Sequence, residues 1–117
     1  MMSAVKGKSP LFIDTVGGGL ASLAAGIARH LGLAGATAAT SSELVAVPGE
    51  VLTALAEINA QVTSVAHLKD VKPTGEAVHL AEWSLYLLAP SEGELERLAA
   101  ARIARDKIER RLSSSSS

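Results

Sequence analysis

The chain contains no cysteine, which excludes a disulfide scaffold, thiolate metal sites and any thiol nucleophile. Aromatic residues are almost as scarce: Phe12, Trp83 and Tyr86 make up 3% of the sequence, so there is little ring surface on which nucleic-acid bases could stack. Charge of one sign is lacking too. Eleven Lys and Arg against twelve Asp and Glu leave a net charge near −1, and no broad basic field exists to attract nucleic acid or an anionic membrane. Long apolar runs are missing: the uncharged stretch from Thr15 to Ala28 is interrupted by a glycine triplet and is too short to span a bilayer. Residues 1–10 contain no apolar signal-peptide core, so the expectation is a cytoplasmic protein with neither nucleic-acid nor membrane partners.

What is present is enough apolar material for one domain. The 117 residues are 48% hydrophobic, mostly Ala, Leu and Val, and can bury a core without a metal or cross-links. A mean hydropathy of +0.28 is high for so small a domain and points to an apolar patch covered by a protein partner or a second copy of the chain. Residues 1–9 read as a flexible lead, 10–112 as a single α/β domain, and the serine run 113–117 as a disordered tail.

Patterning places the elements. Pro10–Ile13 is a short apolar strand that runs into Asp14-Thr15-Val16-Gly17-Gly18-Gly19, where consecutive glycines permit positive φ. Leu20, Leu23, Ala24, Ile27, Ala28 and Leu31 then recur at helical spacing up to Gly32. Residues 36–40 read as a second strand. A helix opens at Pro48-Gly49-Glu50, with Val51, Leu55 and Ile58 on one face. Residues 61–68 read as a third strand, 69–76 as a loop and 83–88 as a fourth strand. Ser91 and Glu94 form a capping box for a last helix with Leu95, Leu98, Ala101, Ile108 and Leu112 on its apolar face. Strands alternating with helices predict a mostly parallel sheet with helices on both faces.

A glycine-rich turn between a strand and a helix is an anion site by construction, because backbone N–H groups and the helix dipole point into it. Gly17-Gly18-Gly19 does not complete a dinucleotide fingerprint, since Ser22 stands where its last glycine would be. No Gly-Lys-Ser/Thr follows to make a nucleotide-triphosphate loop.

The segment Leu11-Phe12-Ile13-Asp14-Thr15, followed by Ala21-Ser22-Leu23-Ala24-Ala25-Gly26-Ile27-Ala28-Arg29-His30, resembles the opening of the low-molecular-weight protein tyrosine phosphatases and related arsenate reductases. Those proteins begin with an apolar strand, a C-T-G-N-x-x-R-S loop and a helix. Further along, residues 36–40 resemble the family's second strand and residues 51–59 its next helix. Residues 62–65 resemble its third strand, Trp83 with Ala89-Pro90 its Trp and Asp-Pro, and residues 105–112 its R-D-x-I-x-x-R-V ending. The resemblance implies a small open four-stranded sheet in flavodoxin-like order, shortened between the second helix and the third strand.

In that register Asp14 stands at the nucleophilic cysteine, Leu20 at the oxyanion-binding arginine and Ala89 at the general acid. Nucleophile, charge clamp and proton donor would all be lost, which points away from phosphatase or reductase chemistry and towards a degenerate domain that acts by binding. The implied ligand loop is Asp14, Thr15, Val16, Gly17, Gly18, Gly19, Leu20 and Ala21, with no cofactor and no metal.

Asp14 itself supports three readings. Its carboxylate can accept hydrogen bonds from the loop amides and lock the loop. It can bind a small polar ligand at the strand end. It can serve as nucleophile in a hydrolase or nucleotide-binding protein, for which no second acidic pair or magnesium motif is found. A small anion is disfavoured, because a carboxylate about 4 Å from a phosphate charge repels it by roughly 4 kcal/mol at an effective dielectric of about 20. Of the histidines, His67 closes the third strand and would form a polar pair with Asp14 if the two met in the crevice; the spacing does not bring them together, and a capping or surface role is favoured. His30 suits a helix end, and His79 with Glu82 makes too small a set for zinc.

Overall fold

The structure is a computed structural model that describes residues 9–71, 76–89 and 91–115. The N-terminal lead up to Lys8, residues 72–75 of the expected loop, Pro90 and the last two serines lie outside the described residues. In chain order the elements are β1 (Leu11–Asp14), α1 (Gly19–His30), β2 (Thr37–Thr40), α2 (Gly49–Ala56), β3 (Val65–His67), β4 (Ala77–His79) and α3 (Glu94–Ser115). Two 3-10 turns, Leu68–Asp70 and Leu80–Trp83, follow β3 and β4.

The four strands form one parallel sheet in the order β3-β2-β1-β4, the α/β class that the sequence predicts. A flavodoxin-like order would carry the third strand to the far side of β1. Here β3 continues outward beyond β2, and β4 takes the far side. Right-handed crossovers then dictate the layering. The β1–β2 and β2–β3 connections step in the same direction, so α1 and α2 share a face. The β3–β4 connection steps back, and its described start, Leu68–Val71, lies on the other face.

The packing follows that rule. Phe12, Ala38 and Val78 point into a cluster with residues of α1, α2 and α3, including Leu23, Ile27, Leu55 and Ile108. On the opposite face Leu11, Ile13 and Ala39 are packed by Leu68 and Val71. Among the described residues the three α-helices therefore lie on one side, with a 3-10 turn on the other, in place of the helices on both faces that the sequence predicts.

Four assignments change. The fourth strand is Ala77–His79, not 83–88. Its place beside β1 starts where Leu11 donates its N–H to the Glu76 carbonyl at 2.7 Å. Trp83 instead ends a 3-10 turn, after which Ser84 adopts φ 57°, and its ring meets Phe12 edge-on with centroids 6.3 Å apart. The third strand is only Val65–His67, so the family-like segment 62–65 contributes a single ladder residue. Helix α3 starts at Glu94 and not directly after Ser91, with Gly93 accepting the Arg97 N–H at 2.9 Å. It continues through Ser115, so the first three serines of the expected disordered tail are helical.

Helix α3 is pinned to α2 by ion pairs. Glu57, just past α2, receives Arg102 at 2.5 Å and Arg105 at 2.6 Å. Hydrogen bonds from these two arginines hold its carboxyl down at about 2. No helix among the described residues is long and apolar enough to cross a membrane.

Candidate functional site

The turn from β1 into α1 places Asp14 at the C-terminal edge of the sheet, where open α/β sheets bind ligands. The carboxylate does not face solvent there. Asp14 is 2% exposed and folds back over its own loop. One oxygen accepts the N–H groups of Val16 at 3.1 Å and Gly18 at 2.9 Å, and the other accepts that of Ala21 at 2.9 Å.

Helix α1 explains why this happens. It has no acidic residue in its first turn and Gly18 as its N-cap, without a side-chain cap. Open N–H groups and a positive dipole end therefore await an anion, and Asp14 supplies one from within the chain. The turn requires glycine. Gly18 has φ 100°, and a Cβ there would sit 2.6 Å from a Val65 methyl. Gly17 has φ 101°.

Thr40, the last residue of β2, is the second anchor. It lies opposite Asp14 in the β1–β2 register and is fully buried. Its hydroxyl accepts the N–H groups of Gly17 at 3.2 Å and Ser42 at 3.1 Å, and donates to the Asp14 carbonyl at 3.3 Å. Ser41 adds its own N–H to that carbonyl at 3.0 Å. Sequence reasoning missed Thr40. The available signal was a threonine ending a strand level with Asp14 and followed by two serines.

Leu20 is 5% exposed. It joins the core cluster and lines the cleft described below, so this end of the loop presents an apolar wall. Thr15 and Val16 are exposed, and Gly17, Gly18, Gly19 and Ala21 are buried. His67 does not join Asp14. In register His67 pairs with Thr40, which pairs with Asp14, so two strand spacings of about 4.8 Å separate them. His79 ends β4 and is exposed. No group of three metal-ligating side chains occurs among the described residues.

Beside the loop lies a cleft of about 470 Å³. Its walls come from the start of α1 (Gly19, Leu20), the segment 46–50 that opens α2, and residues 85–89, which include Ala89. The polar side chains lining it are few. Glu50 accepts a hydrogen bond from Arg97 at 3.2 Å, while the Arg97 Nε donates to the Glu92 carbonyl at 3.0 Å. Tyr86 stands exposed at the mouth. Because Arg97 and Glu50 neutralise each other, the cleft is uncharged in sum and mostly apolar.

No protein-family model matches the chain, and no curated protein sequence matches it. Among solved structures, one described as an arsenate reductase in the phosphate binding state matches with a TM-score of 0.59 and 11% identity. The match covers 91% of this chain and 94% of that chain. At that identity the likeness establishes a shared fold.

Proposed function

We propose that this chain is a non-catalytic member of the low-molecular-weight phosphatase and arsenate reductase group, acting by binding a neutral, mainly apolar group in the cleft beside its loop. The observation that carries this reading is the double engagement of Asp14, whose two carboxylate oxygens take the amides of Val16, Gly18 and Ala21. A loop whose Val16, Gly18 and Ala21 amides are taken by its own carboxylate would repel an incoming oxyanion. Leu20 provides no cation to offset that repulsion. Nucleophilic attack by Asp14 is disfavoured for the same reason, since an aspartate bonded through both oxygens and removed from solvent has no line of approach to a substrate.

The cleft supports the binding half of the proposal. Its volume of about 470 Å³ falls within the usual range for small-molecule sites, which are lined by apolar groups with a few placed polar ones. Leu20 and Leu87 offer contact surface, Tyr86 a hydroxyl, and the Glu50–Arg97 pair a fixed dipole. Charged ligands would meet no uncompensated side-chain charge there.

Amide NMR tests both halves. Millimolar phosphate should leave the Val16, Gly18 and Ala21 resonances in place, whereas a neutral aromatic probe such as phenol should shift those of Gly19, Val47 and Leu87. A saturable response of the three loop amides to phosphate would overturn the closed-loop reading. An aromatic probe that leaves the cleft resonances unmoved would overturn the ligand assignment.

A further inference from the structure

We propose that the hollow between α3 and the Trp83–Leu85 segment is a second binding site, for a small phosphate-bearing molecule. The hollow measures about 330 Å³ and is lined by Trp83, Leu85, Lys107, Arg110 and Arg111. Three of these five residues are cations and none is acidic.

Such a grouping is not accounted for by helix chemistry alone. Lys107, Arg110 and Arg111 sit at i, i+3 and i+4, spacings at which like charges repel one another. Cations are favoured near a helix C-terminus, but that effect is confined to the last turn. Helix α3 runs on to Ser115 and has no basic residue in its last turn. Lys107 and Arg110 form no ion pair among the described residues. The neighbouring Arg102 and Arg105, by contrast, are both engaged with Glu57.

The geometry suits a phosphate-bearing ligand. From Lys107 to Arg111 the helix rises about 6 Å, close to the span of two linked phosphoryl groups. The Arg111 guanidinium lies 4.6 Å from the Trp83 ring centroid, a cation–π contact that holds positive charge against the apolar side of the hollow. Lys107 adds a point charge, and Arg110 a second planar fork. Trp83 and Leu85 give the hollow an apolar side that would receive the organic part of a phosphate ester or diphosphate.

Trp83 is the only tryptophan, so its fluorescence reports on this hollow. Inorganic pyrophosphate, titrated into the full chain at constant ionic strength, should produce a saturable fluorescence change. A Lys107→Gln/Arg110→Gln variant should weaken that binding about tenfold or more. Both positions are exposed on α3 and glutamine is a good helix former, so far-UV circular dichroism should match the parent. No saturable change, a change that chloride reproduces, or full affinity in the double variant would overturn the proposal. The loop amides read the closed-loop proposal separately, so either proposal can fail while the other stands.

Discussion

Asp14 and Thr40 face each other across the β1–β2 ladder and share the work of closing the loop. Asp14 collects the amides of Val16, Gly18 and Ala21, while the Thr40 hydroxyl takes that of Gly17. The two acceptors thus divide the turn between them.

Replacing Thr40 with valine keeps the shape and deletes the hydroxyl. The Gly17 and Ser42 N–H groups lose their acceptor, one of them in a buried setting. Thr40→Val should destabilise the fold by about 1–3 kcal/mol, measured as a lower urea midpoint with an unchanged m-value.

Gly18→Ala combines two penalties. The residue has φ 100°, and the new methyl would collide with Val65 at 2.6 Å. A loss of at least about 1 kcal/mol is expected from the backbone alone. Adding Val65→Ala should recover only the steric part. Full recovery in that double variant would mean that positive φ carries no cost at this position.

Arg97→Met leaves Glu50 with a 7% exposed side chain and no cation. The start of α2 partly compensates and Arg97 is itself partly exposed, so the expected loss is about 1–3 kcal/mol, below that of a fully buried pair. Glu50→Gln in the Arg97→Met background should restore most of the chemical-denaturation midpoint, because the stranded charge is removed.

Glu57 gives a pH signature. Its carboxyl is lowered from the ordinary 4.5 to about 2, first by hydrogen bonds from Arg102 and Arg105. A depressed carboxylate contributes stability that is fully present above its unfolded value and is lost as pH falls through the folded one. The α2–α3 clamp should therefore weaken between about pH 4.5 and 2. Denaturation midpoints of the parent should drop over that window more steeply than those of Glu57→Gln; parallel curves would contradict the assignment.

Much of this architecture is legible in the sequence where apolar periodicity is long. Helix α1 follows from Leu20 to Leu31, and the packed part of α3 from Ala101 to Leu112, whereas Leu95, expected on the same apolar face, is 79% exposed. The strand that enters the glycine turn is marked by Leu11-Phe12-Ile13. Short elements escape because three residues cannot establish a period: β4 is Ala77-Val78-His79, with Val78 alone turned into the helical cluster. The run from Trp83 to Leu88 has the composition of a strand, yet the place beside β1 is taken by β4, and Trp83 is drawn instead onto Phe12.

At the site, Asp14 supports three readings in the sequence, and the hydrogen bonds match carboxylate capture of the loop amides. His67 stays apart from Asp14 because strand order, which no local pattern encodes, sets which strand ends are neighbours.

The lopsided layering also bears on how the molecule breathes. Among the described residues, three helices seal the Phe12 side, whereas Leu11, Ile13 and Ala39 are met by Leu68 and Val71 on a short turn. Lifting that turn disturbs little buried surface, while separating α1 from the sheet dismantles the core. Amide hydrogens of the Leu68–Val71 turn should therefore exchange through small, frequent openings, and those of β1 and central α1 only through global unfolding.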